Sequence, residues 1–458
     1  MTRLALLATL AITLSAQVKL PPYTREVLPN GVVVYFVPRT GIPLVQFRVL
    51  VRGGGESEPQ GLAGLSAVTA ELLRRGAGDR SADQFADELD GLGGAFGSNA
   101  NEQATVVTAE FLKKDFDRGL SLVSDAVLHP TFPNEEVRKT LARRLDGLKS
   151  AKDNPGAAIQ PYYRSFFFGP EHPYGRVTNE ASIDHIRRED IVDYHRRLYA
   201  GRNLIVIVSG DFDAPAAKSR IAAVFGSLPA GAAYQWADDH PPARPAAPRV
   251  LLVDKPDATQ TYFIIAQPGA RRASPDRVPL TLVNTLFGGR FTSMINDELR
   301  VNTGLTYGAN SAVEMNRLTG GLFISTYTKT ETTARAIDLA LEVLKRLSDK
   351  GLTAEQLASA KAYVKGTFPP DRLQTTDQIA AMLGDIELYG LGRDEVDDYF
   401  ARIDAVTLDQ ANQIARKYYR TDNLTFVLVG AEAKIRETAA KYSPKIEERS
   451  IKQPGWSN

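Results

Sequence analysis

A twelve-residue pattern occurs twice in this chain. Tyr199-Ala200-Gly201-Arg202-Asn203-Leu204-Ile205-Val206-Ile207-Val208-Ser209-Gly210 is answered by Tyr419-Arg420-Thr421-Asp422-Asn423-Leu424-Thr425-Phe426-Val427-Leu428-Val429-Gly430. Tyrosine, asparagine and glycine return at a constant spacing of 220 residues. Each copy reads as a helix end, a turn and a buried apolar strand. A helix with a start signal precedes each one, Ile191–Leu198 in the first case and Leu408–Tyr418, opened by Thr407, in the second. Between the copies, residues 230–248 carry Pro241, Pro242, Pro245 and Pro248, which is linker composition. The chain is therefore expected to be two homologous halves, 22–230 and 248–445, joined by a linker over 231–247.

The first half alternates strands and helices. Val32–Val37 and Val45–Val51 read as a strand pair joined through residues 38–43. Gly61–Arg75 and Ala82–Leu92 carry helical apolar spacing. Residues 93–97 lead into a strand and Thr105–Phe111 returns. Phe116–Leu128 and Glu135–Leu148 are long amphipathic helices. Hairpin-linked strands with helices segregated between them predict an α+β fold: two α/β-sandwich halves, each an antiparallel-rich sheet covered by helices.

Composition excludes several functions. The net charge of +1 and the absence of a Lys/Arg block argue against nucleic-acid binding. With no cysteine, disulfides, thiolate zinc sites and iron–sulfur clusters are impossible. At the N-terminus, Arg3, the apolar run Leu4–Leu14 and Ser15-Ala16-Gln17 describe a secretory signal over 1–16, so a periplasmic or secreted protein is expected. The run is too short to span a bilayer.

Several motifs, taken in order, resemble the pitrilysin/insulinase-type metallopeptidases, the inverzincins. They are Leu28-Pro29-Asn30-Gly31, Gly53-Gly54-Gly55-Glu56-Ser57-Glu58, Gly61-Leu62-Ala63 and His172-Pro173-Tyr174-Gly175-Arg176. In the second half come Gly288-Gly289-Arg290-Phe291-Thr292-Ser293, Glu298-Leu299-Arg300 and Gly304-Leu305-Thr306-Tyr307-Gly308. The resemblance runs from Leu28 to about Tyr442 and implies the LuxS/peptidase-like metalloenzyme fold. That family also contains the mitochondrial processing peptidase and the core subunits of respiratory complexes.

Active members of that family carry H-x-x-E-H directly after the Gly-Leu-Ala, two imidazoles one helical turn apart with a glutamate as general base. Here the corresponding positions are Gly64, Leu65, Ser66, Ala67 and Val68, and none offers an imidazole or carboxylate. The family's third ligand falls, by resemblance, on or beside Arg143 and Arg144, whose charge would repel a dication. The five histidines, His129, His172, His185, His195 and His240, include no pair three or four apart and read as surface, capping or loop-fixing residues. No metal or other cofactor is therefore expected in this chain.

A second part of the family's site is intact. Arg300, read as ending a helix over Phe291–Leu299, and Tyr307, past a turn at Gly304, supply cationic and phenolic donors suited to a peptide carbonyl becoming an oxyanion. The resemblance implies that such a pair faces zinc across a chamber. The alternative is a helix-terminal arginine beside an ordinary strand tyrosine. The expected function is a subunit that is inactive alone and belongs to a heterodimeric zinc metalloendopeptidase. A homologous H-x-x-E-H partner would bring the zinc, and unfolded peptide would be the substrate. A homodimer is also open. The competing expectation is a non-catalytic scaffold or peptide-binding protein of the cell envelope.

Overall fold

A computed structural model describes residues 18–238 and 244–456. The expected signal segment, and His240, Pro241 and Pro242 of the linker, lie outside the described residues. The strands are β1 Thr24–Val27, β2 Val33–Pro38, β3 Leu44–Arg52, β4 Ala95–Ala100, β5 Ala104–Leu112, β6 Leu204–Gly210, β7 Arg249–Asp254, β8 Gln260–Pro268, β9 Ala309–Met315, β10 Gly320–Lys329, β11 Thr425–Gly430 and β12 Ile446–Ser450. The helices used below are α1 Leu65–Leu72, α2 Ala82–Gly91, α3 Phe116–Leu128, α4 Asn134–Asp153, α5 Pro155–Phe168, α6 Arg188–Leu198, α7 Thr333–Lys350, α8 Ala354–Arg372, α9 Thr376–Leu388 and α10 Leu408–Tyr418.

These strands form two six-stranded sheets, in the orders β1-β2-β6-β3-β5-β4 and β12-β7-β11-β8-β10-β9, and a separate two-residue ribbon pairs Gly76–Ala77 with Arg80–Ser81. Five positions correspond one to one between the sheets, with the repeated segment supplying the third strand of each, β6 and β11. Only the first edge differs: β1 is antiparallel to β2, whereas β12 is parallel to β7 and takes the second sheet past residue 445. The repeated tyrosines occupy the same place, Tyr199 after α6 and Tyr419 after α10, and both are buried. The repeated asparagines differ. Asn203 ties the start of the linker to the sheet, its Oδ1 accepting from Tyr234 N at 2.7 Å, while Asn423 has a left-handed φ of 52°.

β2 and β3 do not form the expected hairpin. β6 lies between them, parallel to β2 and antiparallel to β3. Every residue of β6 is buried. A continuous apolar run is what a central strand covered on both faces requires, and such a strand outcompetes a local pairing. Leu204, Val206 and Val208 face the core shared with α1, α3 and α6. Ile205 and Ile207 face the opposite way, onto α9 of the other half. The second sheet mirrors this. Phe426 and Leu428 face helices of their own half, and Val427 and Val429 pack on α5 of the first. Each half thus lends one helix to the outer face of the other half's sheet. Ion pairs reinforce the exchange: Glu387 on α9 accepts from Arg25 at 2.9 Å, Tyr35 at 2.7 Å and Arg52 at 3.2 Å.

Helix α9 lies close to its sheet because of Gly384, where an added Cβ would stand 3.1 Å from both Leu50 methyl carbons. On α8, an added Cβ at Gly366 would meet nothing within 4 Å. Gly384→Leu is expected to lower stability by about 1–3 kcal/mol through overpacking. Gly366→Ala is expected to raise it by about 1 kcal/mol through helix propensity. Urea unfolding of the two variants checks the opposite signs.

His195 is not a surface residue; from α6 it caps the C-terminal end of α3. Its ring stacks on Tyr199 at 4.2 Å, and Nε2 lies 2.9 Å from the Val127 carbonyl oxygen, so the neutral ring carries its proton there. Burial pushes its pKa down from 6.5 to about 4. The unfolded chain takes up this proton first, so this contribution to stability is present above pH 6.5 and is lost as pH falls toward 4. His195→Phe should flatten that part of the dependence of Tm on pH relative to the unsubstituted chain.

Candidate functional site

The degenerate metal positions sit at the start of α1. The helix begins at Leu65, not at the expected Gly61, because Gly64 has a left-handed φ of 98° and acts as its N-cap. A Cβ at Gly64 would lie 2.7 Å from the Thr178 methyl carbon, so both the backbone and the space select glycine. Glu58 takes over the capping. Its buried carboxylate accepts from Gly64 N at 2.9 Å, Ser66 N at 2.8 Å and Ser66 Oγ at 2.5 Å. Burial raises its pKa despite these bonds. Val68 is fully buried in the core.

Ala67 leaves room for charges from α4. Arg143 and Arg144 both bind Glu71, one turn beyond Ala67 on α1. Arg144 Nε lies 2.8 Å from Glu71 Oε2, and its Nη2 donates to Ala67 O at 2.9 Å. The two helices that would share a metal are thus joined by an Arg–Glu–Arg cluster. Glu71 is an ion-pair partner, not the solvated residue that its sequence context suggests. A cavity of about 190 Å³ remains beside Gly64, Ser66 and Ala67, walled by Arg164, Arg176 and Glu102. These residues do not form a zinc donor set. Nor does any other group of three or more His, Asp or Glu suited to a metal occur among the described residues. His172 fixes its own loop, its Nδ1 accepting from Tyr174 N at 3.0 Å.

Arg300 and Tyr307 are brought together in the second half. Arg300 does not end a helix over 291–299. It lies within a wide, π-type turn, Asp297–Asn302, that follows a single α-turn at Met294–Asn296. Such wide turns are rare and gather at functional sites. A second one, Thr285–Gly289, lies just before. Tyr307 precedes β9 in a loop fastened to β10: Thr328 Oγ1 donates to Leu305 O at 2.7 Å, and Thr326 Oγ1 to Gly308 O at 2.8 Å. The Arg300 guanidinium carbon lies 4.5 Å from the Tyr307 ring centroid and 4.8 Å from that of Phe291. Arg300 forms no ion pair and donates to no acceptor among the described residues. Tyr307 is 75% exposed.

Beside the pair lies an open cleft of about 510 Å³, lined by Arg290, Phe291, Arg300 and Tyr363. Arg290 and Phe291 belong to a motif of the resemblance that assigns them no role, and nothing in the sequence singles out Tyr363. The only available signal was Arg290-Phe291 after a glycine pair.

Restoring the motif residues should not restore the metal. Gly64→His, Ala67→Glu and Val68→His, combined with Arg144→Glu, are expected to lower Tm and leave zinc far below one equivalent. The causes are left-handed backbone strain, the Thr178 clash and a histidine placed in the core. Elemental analysis after dialysis against zinc checks this. A ratio near one with an unchanged Tm would contradict it.

Two models of one family match the chain: "Insulinase (Peptidase family M16)" over residues 37–167 and "Peptidase M16 inactive domain" over 185–364, together more than half of its length. Among curated relatives, a zinc protease of Mycobacterium tuberculosis H37Rv is 26% identical over 86% of this chain and 90% of its own length. A non-peptidase homologue of Helicobacter pylori 26695 is 22% identical over 90% of this chain and 94% of its own length. Among solved structures, a peptidase M16 inactive domain from Pseudomonas fluorescens superposes with a TM-score of 0.83 at 25% identity, covering 90% of this chain and 98% of that one. A Helicobacter pylori protease superposes with a TM-score of 0.82 at 18% identity, covering 90% and 100%. Two matching sheets with their helices, both family models and the intact second-half motifs agree: the chain belongs to the M16 family of insulinase-type peptidases, as a member without the family's zinc ligands.

Proposed function

We propose that this chain is the non-zinc-binding subunit of a two-chain peptidase, and that Arg300 and Tyr307 hold the carbonyl of the peptide being cut. The observation that carries this reading is the availability of the pair. An arginine with no acceptor among the described residues and a strongly exposed phenol stand side by side on a loop fixed by hydrogen bonds. Donors with no acceptor among the described residues, on a support fixed by hydrogen bonds, suit a ligand from outside. Their chemistry suits an oxyanion: the phenol donates one hydrogen bond, and the guanidinium adds donors and charge. Water activation would belong to a homologous H-x-x-E-H partner and its zinc, since the residues of this chain cannot supply it. The basic start and apolar run at residues 3–14 support a periplasmic or secreted setting.

A second reading, a scaffold or peptide-binding protein of the cell envelope, is favoured by one comparison: the Helicobacter pylori relative is named a non-peptidase homologue. Kinetics of the reconstituted pair separate the two. The chain is mixed with an H-x-x-E-H homologue from the same genome, and turnover of a quenched fluorescent peptide is followed. Arg300→Ala or Tyr307→Phe should lower turnover by roughly 10²–10³. Unchanged turnover with both replaced would leave the scaffold.

A further inference from the structure

The three most exposed aromatic rings among the described residues, Tyr307 at 75%, Phe291 at 64% and Tyr363 at 42%, fall at one place. They come from three separate segments: the loop before β9, the turn before Met294 and helix α8. Rings scattered singly over a surface need no explanation, but a cluster does. Two arginines are interleaved with them. Arg300 stacks on Phe291 and Tyr307, and the Arg290 guanidinium lies 5.7 Å from the Tyr363 centroid.

Neither arginine has a carboxylate partner among the described residues. Arg290 uses two of its donors, Nε to Thr292 O at 3.2 Å and Nη1 to Ser359 Oγ at 3.0 Å, and its Nη2 is left over. The acids that share Arg300's turn do not pair with it. Glu298 is engaged with Arg346 at 2.8 Å and with Asn302 at 3.1 Å. Asp297 makes no ion pair among the described residues. Two guanidinium groups without a carboxylate partner among the described residues, together with exposed rings, therefore line an open cleft of about 510 Å³. An occupant complementary to it carries negative charge and an apolar face. On the reading above, that occupant is a peptide segment.

We propose that this cleft binds a peptide segment presenting a carboxylate beside an aromatic or large aliphatic side chain. Arg290 and Arg300 receive the carboxylate, and Phe291 and Tyr363 receive the apolar group. Arg290, Phe291 and Tyr363 then set which peptides this chain prefers. The proposal deepens the reading above, because it shares Arg300 with it, but it is tested on the chain alone.

Fluorescence anisotropy with labelled peptides provides the test. One peptide carries an internal Glu-Phe pair between alanines and an amidated C-terminus, and its controls replace the glutamate by Gln or Lys. Another ends in Phe as the free acid, with its amide as control. The Glu-Phe peptide or the free-acid peptide should bind about tenfold or more tighter than its neutral control, as expected for hydrogen bonds to a charged group. Whichever pair shows the difference identifies the carboxylate as side-chain or terminal. Arg290→Gln should remove that preference, and Phe291→Ala should weaken binding of acidic and neutral peptides alike by about tenfold. Both side chains are exposed or half-exposed, so Tm should not move. Equal affinity for acidic and neutral peptides, or no binding at millimolar peptide, would overturn the proposal. Selectivity on the chain alone, together with unchanged turnover for Arg300→Ala in the pair, would remove the peptidase reading and leave this one standing.

Discussion

Each sheet of this protein is closed on its outer face by a helix from the opposite half, and most of the architecture follows from that exchange. Helix α5 places Tyr162, Tyr163, Phe166 and Phe167 against β7, β8 and β11. Helix α9 places Ile379, Leu383 and Ile386 against β2, β3 and β6. Burying one such side chain contributes roughly 1.5–3 kcal/mol, so each borrowed helix adds a substantial share of a domain's stability. Neither half has a complete core without the other. The linker is consequently not the sole connection between them, and the angle between the halves is fixed by two packed helices. Buried polar contacts add to this. Arg317, in the turn between β9 and β10, reaches the fully buried Glu56 side chain at 3.1 Å, and the Tyr174 hydroxyl accepts from Leu318 N at 3.0 Å.

The fixed angle also bears on the segment where the resemblance places the family's metal site. Zinc in such a site would tie α1 to α4. Here Glu71 with Arg143 and Arg144 ties the same two helices by charge, and Glu58 caps the start of α1. The replacement is structural as well as chemical: a left-handed glycine, a buried valine and a pair of arginines each oppose the metal independently. By contrast, the Arg300 region retains exposed donors and rings, which are unfavourable for a surface with no ligand. One half has been sealed and the other left open.

Much of this was legible in the sequence, for identifiable reasons. The repeat predicted equivalent strands, and β6 and β11 occupy equivalent positions; their unbroken apolar runs also required two covered faces. The amphipathic spacing of Phe116–Leu128 gave α3 to the residue, and Thr407 capped α10 as expected. What covered the second face was not legible, because periodicity reports that a helix is buried and not which sheet it meets. The β2–β3 hairpin failed for the same reason: a distant strand, β6, outcompeted the local pairing. At the site, Arg300 and Tyr307 were singled out by spacing and resemblance, but the wide turn that holds Arg300 has no sequence signature. Phe291 and Tyr363 carry no sequence signal of exposure, because an aromatic residue in an amphipathic segment ordinarily belongs to the core.

The central claim is that the sealed half needs a metal-bearing partner while the open half serves it. Native mass spectrometry of the chain isolated from its own cells tests this directly. The account requires a one-to-one complex with a chain of similar size carrying H-x-x-E-H, with a single zinc that stays with that partner when the complex is dissociated in the gas phase. Recovery of this chain alone with its own stoichiometric zinc would contradict it.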